Sequence, residues 1–241
     1  MQKQRGLVME ILRVEELTKT YMMGEVEVRA LCGASFTIEE GEFTVILGPS
    51  GSGKSTLLNI MGGMDTPTSG RVIARGEDIT GYNEKKLTDY RRNKVGFVFQ
   101  FYNLMANLTA AENVELATEI TQDPLNIDEV MEAVGLYDRR SHFPSQLSGG
   151  EQQRVSIARA IAKNAQVLLC DEPTGALDYS TGISILELLS KINKEMKKTV
   201  IVITHNADIA LMADRVIRMN SGKIVENKVN ENPISASEIK W

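Results

Sequence analysis

The sequence predicts an α/β fold in which helices flank a parallel sheet that carries a phosphate-binding loop at one edge. Two apolar runs, 43–47 and 167–170, have the length of buried strands. The first run leads into a glycine-rich loop, and the second ends in two acids. Downstream, the pattern predicts a helix at 183–196 and strands at 200–204 and 215–219. Alternating strands and helices are typical of such a sheet.

Two further portions are expected beside this core. Turn-forming glycines separate short alternating runs near the N-terminus, which predicts an antiparallel β portion. Its expected strands are 12–17, 26–30, 34–39 and 72–74. Between 101 and 146 the apolar residues follow a helical period instead, which predicts an α-helical portion.

The glycine-rich loop matches the pattern G-x-x-x-x-G-K-[ST], known as the P-loop. It consists of Gly48, Pro49, Ser50, Gly51, Ser52, Gly53, Lys54, Ser55 and Thr56. The glycines let backbone N–H groups surround a phosphate, Lys54 can neutralise the β and γ oxygens, and the Ser55 hydroxyl can bind Mg²⁺. A chance glycine turn is the alternative, but a strand precedes this loop and a helical run follows it. The loop therefore predicts ATP or a similar nucleotide.

The two acids follow the second strand directly. Nucleotides bind at the carboxyl edge of open α/β sheets, so Asp171 and Glu172 are expected near the loop. Asp171 would then belong to the Mg²⁺ site, and Glu172 would orient or deprotonate the attacking water. Alone, the pair could equally be a strand leading into a turn. Together with the P-loop it predicts nucleotide hydrolysis.

A third motif precedes the amphipathic run 152–162 and comprises Leu147, Ser148, Gly149, Gly150 and Glu151. The Ser148 hydroxyl and the N–H groups of the two glycines would lie at a helix N-terminus, which favours an anion. A capped helix start accounts for the same residues, and both interpretations stay open at this point.

Composition limits the class of protein. The 241 residues are 42% hydrophobic, enough for the core of one domain with two lobes. The net charge of −5 and the lack of any long basic cluster argue against a general nucleic-acid binder. No apolar stretch approaches the roughly 18–20 residues that a membrane helix needs.

These motifs together resemble the nucleotide-binding subunit of ABC transporters, over about residues 11–225. The resemblance implies the ABC ATPase fold: a RecA-like P-loop NTPase core with an antiparallel β subdomain and an α-helical subdomain. It also implies one domain over 11–226, with the core and β lobe at 11–100 and 147–226, the helical lobe at 101–146, and a tail at 227–241. The tail is polar, and a poorly ordered terminus is expected there, although Trp241 could instead pack on the core or on a partner.

The resemblance also implies an active ATPase that uses ATP and Mg²⁺. Glu172 would polarise water, while His205 and Lys54 would stabilise charge on the γ-phosphate. Mg²⁺ would be held by Ser55, Gln100 and Asp171. The implied ATP contacts are Tyr21, which stacks on adenine, the loop from Gly48 to Thr56, Gln100, Ser148, Gly149, Gly150, Glu151 and Asp178.

Partners follow from the same resemblance. In the family, the motif at 147–151 is the signature, and two copies sandwich two ATP molecules between the P-loop of one copy and the signature of the other. A homodimer on ATP is therefore implied. The run 96–114 resembles the lipoprotein-releasing and macrolide-exporting (LolD/MacB-like) branch, whose partners are integral membrane permeases of the FtsX or MacB type. The chain would then lie at the cytoplasmic face of the membrane, held there by the permease.

Two alternatives remain. The output could be regulatory, such as control of a cell-wall enzyme or peptide sensing, because the ATPase residues would be the same. A soluble ABC ATPase acting on nucleic acid is less favoured. Ser55 and Leu147 are only 147 − 55 = 92 positions apart, which leaves no room for the long coiled coil of DNA-repair members.

Overall fold

The computed structural model describes residues 9–240 and contains two sheets. The larger sheet has six strands in the order β10-β9-β3-β8-β7-β6. All neighbours pair in parallel except β10, which is antiparallel to β9. The strands are β3 (Phe43–Leu47), β6 (Val95–Val98), β7 (Val167–Asp171), β8 (Thr199–Thr204), β9 (Arg215–Asn220) and β10 (Lys223–Val229).

The central strands read as continuous apolar runs because both of their faces are covered. Every residue of β3 and β8 is buried. Helices pack on both faces of the sheet. The sheet separates the core into two apolar clusters, one on each face. The helices are α1 (Lys54–Met61), α2 (Glu84–Asn93), α3 (Ala110–Thr118), α4 (Ile127–Ala133), α5 (Gly149–Ala162) and α6 (Tyr179–Met196).

The second sheet is antiparallel, as expected, but its strands are longer than the sequence pattern predicts. They are β1 (Glu10–Met23), β2 (Val26–Glu39), β4 (Ser69–Ala74) and β5 (Glu77–Asp78). The predicted segments 26–30 and 34–39 form one strand, because the intervening Gly33 is accommodated in a bulge at φ 86°. Leu17 pairs with Ala34 and Thr18 with Cys32 on either side of this bulge.

The region 101–146 contains one pair of helices, α3 and α4, with short 3₁₀ turns at Tyr137–Arg139 and Pro144–Gln146. Thr109 and Glu112 form a capping box that begins α3, and Asn126 caps α4. Val130, Val134 and Leu136, three of the residues that carry the expected helical period, are buried in the core. Leu116 and Ile120 carry the same period but are about half exposed, at 48% and 54%; Leu116 lies on α3 and Ile120 just beyond its end.

The C-terminal residues differ from the poorly ordered tail that was expected at 227–241. The proposed boundary at 226 falls inside β10, and the following residues pack on α6. Ala236 and Ile239 are buried, and the Tyr179 hydroxyl donates to the Ile239 carbonyl at 2.6 Å. A polar tail joins the core here because two isolated isoleucines, Ile234 and Ile239, supply its apolar contacts. Trp241 lies outside the described residues.

Replacing Ile239 with alanine is expected to lower the free energy of unfolding by about 2–5 kcal/mol, because it removes a fully buried side chain from the core. Urea denaturation of the whole chain measures this change. Lys240→Ala, one position further and exposed, is the matched control. Equal stabilities of the two variants would contradict the packing of the tail.

No helix among residues 9–240 has both the length and the hydropathy that a membrane span requires.

Candidate functional site

The glycine-rich loop connects the end of β3 to α1, and its shape depends on close backbone contacts. A Cβ atom on Gly48 would lie 2.5 Å from the carbonyl oxygen of Met219. A Cβ atom on Gly53 would lie 2.3 Å from the Ala30 carbonyl oxygen, and Gly53 has a φ of 98°. Only glycine fits both conditions at Gly53. The crest of the loop, comprising Pro49, Ser50 and Gly51, is exposed, whereas Ser52 is buried beneath it.

Lys54 lies inside this loop. Its Nζ donates to the carbonyl oxygens of Gly48 at 2.7 Å and Pro49 at 3.1 Å. Burial lowers the pKa of the Lys54 ammonium, and the negative charges of Glu172 and Asp171 oppose that shift. A cation in such a half-buried position is suited to bind an anion, since little solvent screens it.

Asp171 ends β7 and lies beside the start of α1. The Ser55 side chain is close enough to the Asp171 carboxylate to influence its pKa. Burial raises the pKa of Asp171, and the nearby Ser55 side chain acts in the opposite direction. The amide Nε2 of Gln100 lies against Gly175, where a Cβ atom would come within 3.0 Å of it and within 3.4 Å of the Glu172 Cβ. The three residues predicted to hold a metal therefore surround the same end of the sheet.

Glu172 follows directly and adopts a left-handed backbone conformation with a φ of 46°. Such a conformation in a residue other than glycine is uncommon and is found most often at functional sites. The carboxylate is held on both sides. Thr204 Oγ1 donates to Oε2 at 3.0 Å, and His205 Nδ1 lies 2.9 Å from Oε1. The His205 side chain is 65% exposed, whereas that of Glu172 is 16% exposed.

The Ser148–Glu151 segment begins α5 as a capping box. Glu151 Oε2 accepts from the Ser148 N–H at 2.8 Å and from its hydroxyl at 2.9 Å. The Ser148 N–H bond is the main reason that the pKa of Glu151 is lowered. Gly149 and Gly150 are needed for packing, because a Cβ atom would lie 2.7 Å from Tyr102 Oη or 2.3 Å from Thr181 Cγ2.

Within the described residues, the hydrogen bonds and ion pairs of Ser148 and Glu151 reach their own helix and Arg139, and none reaches the glycine loop. The segment therefore lies outside the group formed by Lys54, Asp171 and Glu172. Asp178 is also separate from that group. It caps α6 by accepting hydrogen bonds from Thr181 N at 3.1 Å and Ser180 Oγ at 2.7 Å, and the bonds to Thr181 and Ser180 lower its pKa.

Tyr21 lies on β1 beside the first turn of α1. Its hydroxyl donates to Asp65 Oδ2 at 2.6 Å, and its side chain also bonds with that of Thr56. Lys19 Nζ lies 4.8 Å from the Tyr21 ring centroid and 2.7 Å from Asp65 Oδ1. Lys19 and Asp65 are missing from the sequence prediction, because no motif marks either residue. They orient the aromatic ring next to the glycine loop.

A cavity of about 360 Å³ lies elsewhere, between α2 and the antiparallel sheet. Its wall includes Ile79, Tyr82, Tyr90 and Val167. Val167 is the first residue of β7, whereas Asp171 is the last, so this cavity is at the end of the sheet opposite the glycine loop. We assign it no part in the phosphate chemistry.

Three comparisons agree on the family. The family model described as "ABC transporter" matches residues 31–175. An uncharacterized ABC transporter ATP-binding protein of Thermotoga maritima is 47% identical over 220 residues, which cover 89% of this chain and 94% of that protein. The macrolide export ATP-binding/permease protein MacB of Brucella melitensis is 46% identical over 222 residues, which cover 90% of this chain but 34% of MacB.

Among solved structures, the chain is similar to the ATP-binding cassette MJ0796 of Methanocaldococcus jannaschii, described as a dimeric post-hydrolysis state bound to ADP and Pi. The TM-score is 0.83 at 42% identity, and the match covers 91% of this chain and 98% of that one. These findings confirm the predicted fold class and the resemblance. The chain belongs to the ABC transporter family as an ATP-binding subunit that hydrolyses ATP.

Proposed function

We propose that two copies of this chain close on two ATP molecules, hydrolyse them with the help of Mg²⁺, and drive an integral membrane permease of the FtsX or MacB type. The observation that carries the proposal is the placement of Glu172. Its carboxylate is held by Thr204 and His205 at the same edge of the sheet as Lys54 and Asp171.

The phosphates of ATP would occupy the loop of residues 48–56. Lys54 and the inward backbone N–H groups would neutralise the β and γ oxygens. Tyr21, held beside Thr56 by Asp65, would stack on the adenine ring. The depressed pKa of Lys54 supports this role, because the burial that causes it also strengthens the attraction between the ammonium and a phosphate.

The residues present fit a magnesium ion. Ser55, Asp171 and Gln100 offer hydroxyl, carboxylate and amide oxygens, which are the ligand types that Mg²⁺ prefers. The closeness of Ser55 to the Asp171 carboxylate supports the assignment, since two of these side chains lie together. A bound Mg²⁺ would neutralise charge on the β- and γ-phosphates.

Hydrolysis would depend on an exchange of hydrogen bonds at Glu172. Both of its carboxylate oxygens are engaged, one by Thr204 and one by His205. When exposed His205 turns to donate to the γ-phosphate, Glu172 Oε1 becomes free to accept a proton from water. Thr204 keeps the carboxylate oriented meanwhile. His205 and Lys54 would then stabilise the charge that develops on the transferred group.

A second copy is needed to complete the site. Ser148, Gly149 and Gly150 form a helix N-terminus that suits a phosphate, yet their contacts do not lead to the glycine loop of the same chain. In a two-fold arrangement each signature would face the ATP of the other copy, with Glu151 and Asp178 nearby. The dimeric state named for MJ0796 supports this arrangement.

The membrane partner would dock near Gln100. Four exposed apolar side chains follow Gln100 along the chain, in the loop before α3, on α3 and just after it: Phe101, Met105, Leu116 and Ile120. A helical element of a permease would cover such a patch and hold the chain at the cytoplasmic face of the membrane. The name of MacB, a macrolide export ATP-binding/permease protein, supports export as the output. Regulation of a membrane-linked enzyme would use the same surface.

We expect Glu172→Gln to form a dimer when ATP and Mg²⁺ are added, because slow hydrolysis preserves the nucleotide between the two copies. Light scattering after size exclusion should record a doubling of mass with ATP and no change with ADP. The matched control adds Ser148→Arg to the same protein, which should stay monomeric because the arginine blocks the signature. A monomer with ATP in the first protein would contradict the composite site.

A further inference from the structure

Gln153 on α5 is fully buried and contacts both loops that carry the proposed chemistry. Its Nε2 donates to the Pro173 carbonyl oxygen at 2.8 Å and to the Phe99 carbonyl oxygen at 3.3 Å. Phe99 immediately precedes Gln100, and Pro173 immediately follows Glu172. One amide group therefore joins the two loops through their backbones.

Arg159 holds the same loop from its other end. On α5, six residues after Gln153, its Nη1 donates to the Asn103 carbonyl oxygen at 2.5 Å and its Nη2 to that of Tyr102 at 3.0 Å. Asn103 has a left-handed backbone with a φ of 52°. The backbone on both sides of Gln100 is thus fixed to the signature helix, whereas the Gln100 side chain extends toward Gly175 and Glu172.

The environment of the amide oxygen of Gln153 indicates that this side chain does more than stabilise the fold. Gln153 Oε1 is buried and accepts no hydrogen bond within the described residues. A buried acceptor without a partner costs free energy, and an apolar residue at this position would avoid that cost. The benefit of glutamine here is its two N–H groups, which reach two carbonyl oxygens in separate loops at the same time.

We propose that Gln153 is a positioning residue, which sets the separation between Gln100 and Glu172 and joins both to the helix that begins with the signature. The inference rests on the proposed roles of Gln100 in binding Mg²⁺ and of Glu172 in orienting water. Helix α5 begins at the residues proposed to meet the ATP of the second copy. A shift of this helix would move both loops through Gln153, and the Gln100 loop also through Arg159.

The test compares Gln153→Leu and Gln153→Met with Ser156→Ala in the whole chain. Ser156 is also buried on α5, and its hydroxyl has no hydrogen-bond partner in the described part of the chain, so its loss should leave turnover within about twofold of the unaltered protein. For both Gln153 variants we expect kcat for ATP to fall about tenfold or more, with KM for ATP changed less than about threefold. Circular dichroism and the thermal midpoint identify any variant that is not folded.

Two further readouts separate positioning from general stability. The Mg²⁺ concentration that gives half-maximal activity should rise in the Gln153 variants and stay constant in Ser156→Ala. In addition, Gln153→Leu should have a much smaller effect on kcat when Gln100 is already alanine, since the effects of residues coupled through a shared backbone segment are not additive.

Two results would overturn the inference: folded Gln153 variants that turn over like Ser156→Ala, or additive effects with an unchanged Mg²⁺ midpoint. Failure of the proposed function is distinguishable, because it would appear as normal hydrolysis in Glu172→Gln. An inactive Glu172→Gln together with active Gln153 variants would refute only the positioning role.

Discussion

Glu172→Gln is expected to reduce ATP hydrolysis by about 100-fold or more while leaving ATP binding nearly unchanged. A positioned general base contributes roughly 10²–10⁴-fold to a rate, and an amide cannot accept the proton of water in its place. The substitution keeps size and shape, so the hydrogen bond from Thr204 can remain. Phosphate release at saturating ATP, together with equilibrium nucleotide binding, measures the two quantities separately.

Two further variants test whether the loss of hydrolysis is specific to the proposed site. Glu195→Gln removes a carboxylate from the exposed side of α6 and should leave hydrolysis unchanged. His205→Ala should also lower hydrolysis strongly, because it removes the proposed γ-phosphate donor, even though it frees Glu172 Oε1. Normal turnover in Glu172→Gln would refute the catalytic assignment, whatever the other two variants do.

Gly53→Ala is expected to abolish nucleotide binding at concentrations that saturate the unaltered protein, and to destabilise the fold by about 1–3 kcal/mol. The new Cβ would lie 2.3 Å from the Ala30 carbonyl oxygen on β2, and the residue would keep a φ of 98°. Neither the strand nor the first turn of α1 can move without disturbing the loop. Binding of a fluorescent ATP analogue and urea denaturation report the two effects.

Gly51→Ala is the control for the contact between the new Cβ at position 53 and the Ala30 carbonyl oxygen. Gly51 also has a positive φ, 77°, but a Cβ atom there meets nothing within 4 Å. Its variant therefore carries the conformational cost alone and should lose less stability than Gly53→Ala. Equal losses would mean that backbone strain, and not contact with β2, explains why glycine is required at position 53.

The proposed order of events links these variants. The P-loop would bind ATP in one chain, the signature of a second chain would complete the site, and Glu172 would act once His205 has turned to the phosphate. The hydrogen bonds of Gln153 and Arg159 would make the Gln100 loop move together with α5 during this closure. A permease docked on the apolar patch near Gln100 would then receive the movement directly.

Some elements could be predicted from the sequence because their cause is local. The strand at Phe43–Leu47 was expected with the same bounds that the structure has, since burial on both faces makes it a continuous apolar run. Helix α6 begins at Tyr179, four residues earlier than expected, because Asp178 caps it. The tail was expected to lie outside the domain because it is polar. It packs on α6 instead, through isolated side chains that form no periodic pattern.

The sequence by itself determined the fold class, the phosphate loop and the two acids, because consecutive residues build each of these features. Only the tertiary structure decided which distant residues meet: Glu172 with His205, 33 positions apart, and Tyr21 with Asp65, 44 positions apart. It also decided the contacts of Gln153, whose partners are backbone carbonyl oxygens. Every residue has such an oxygen, so residue type carries no signal of that contact.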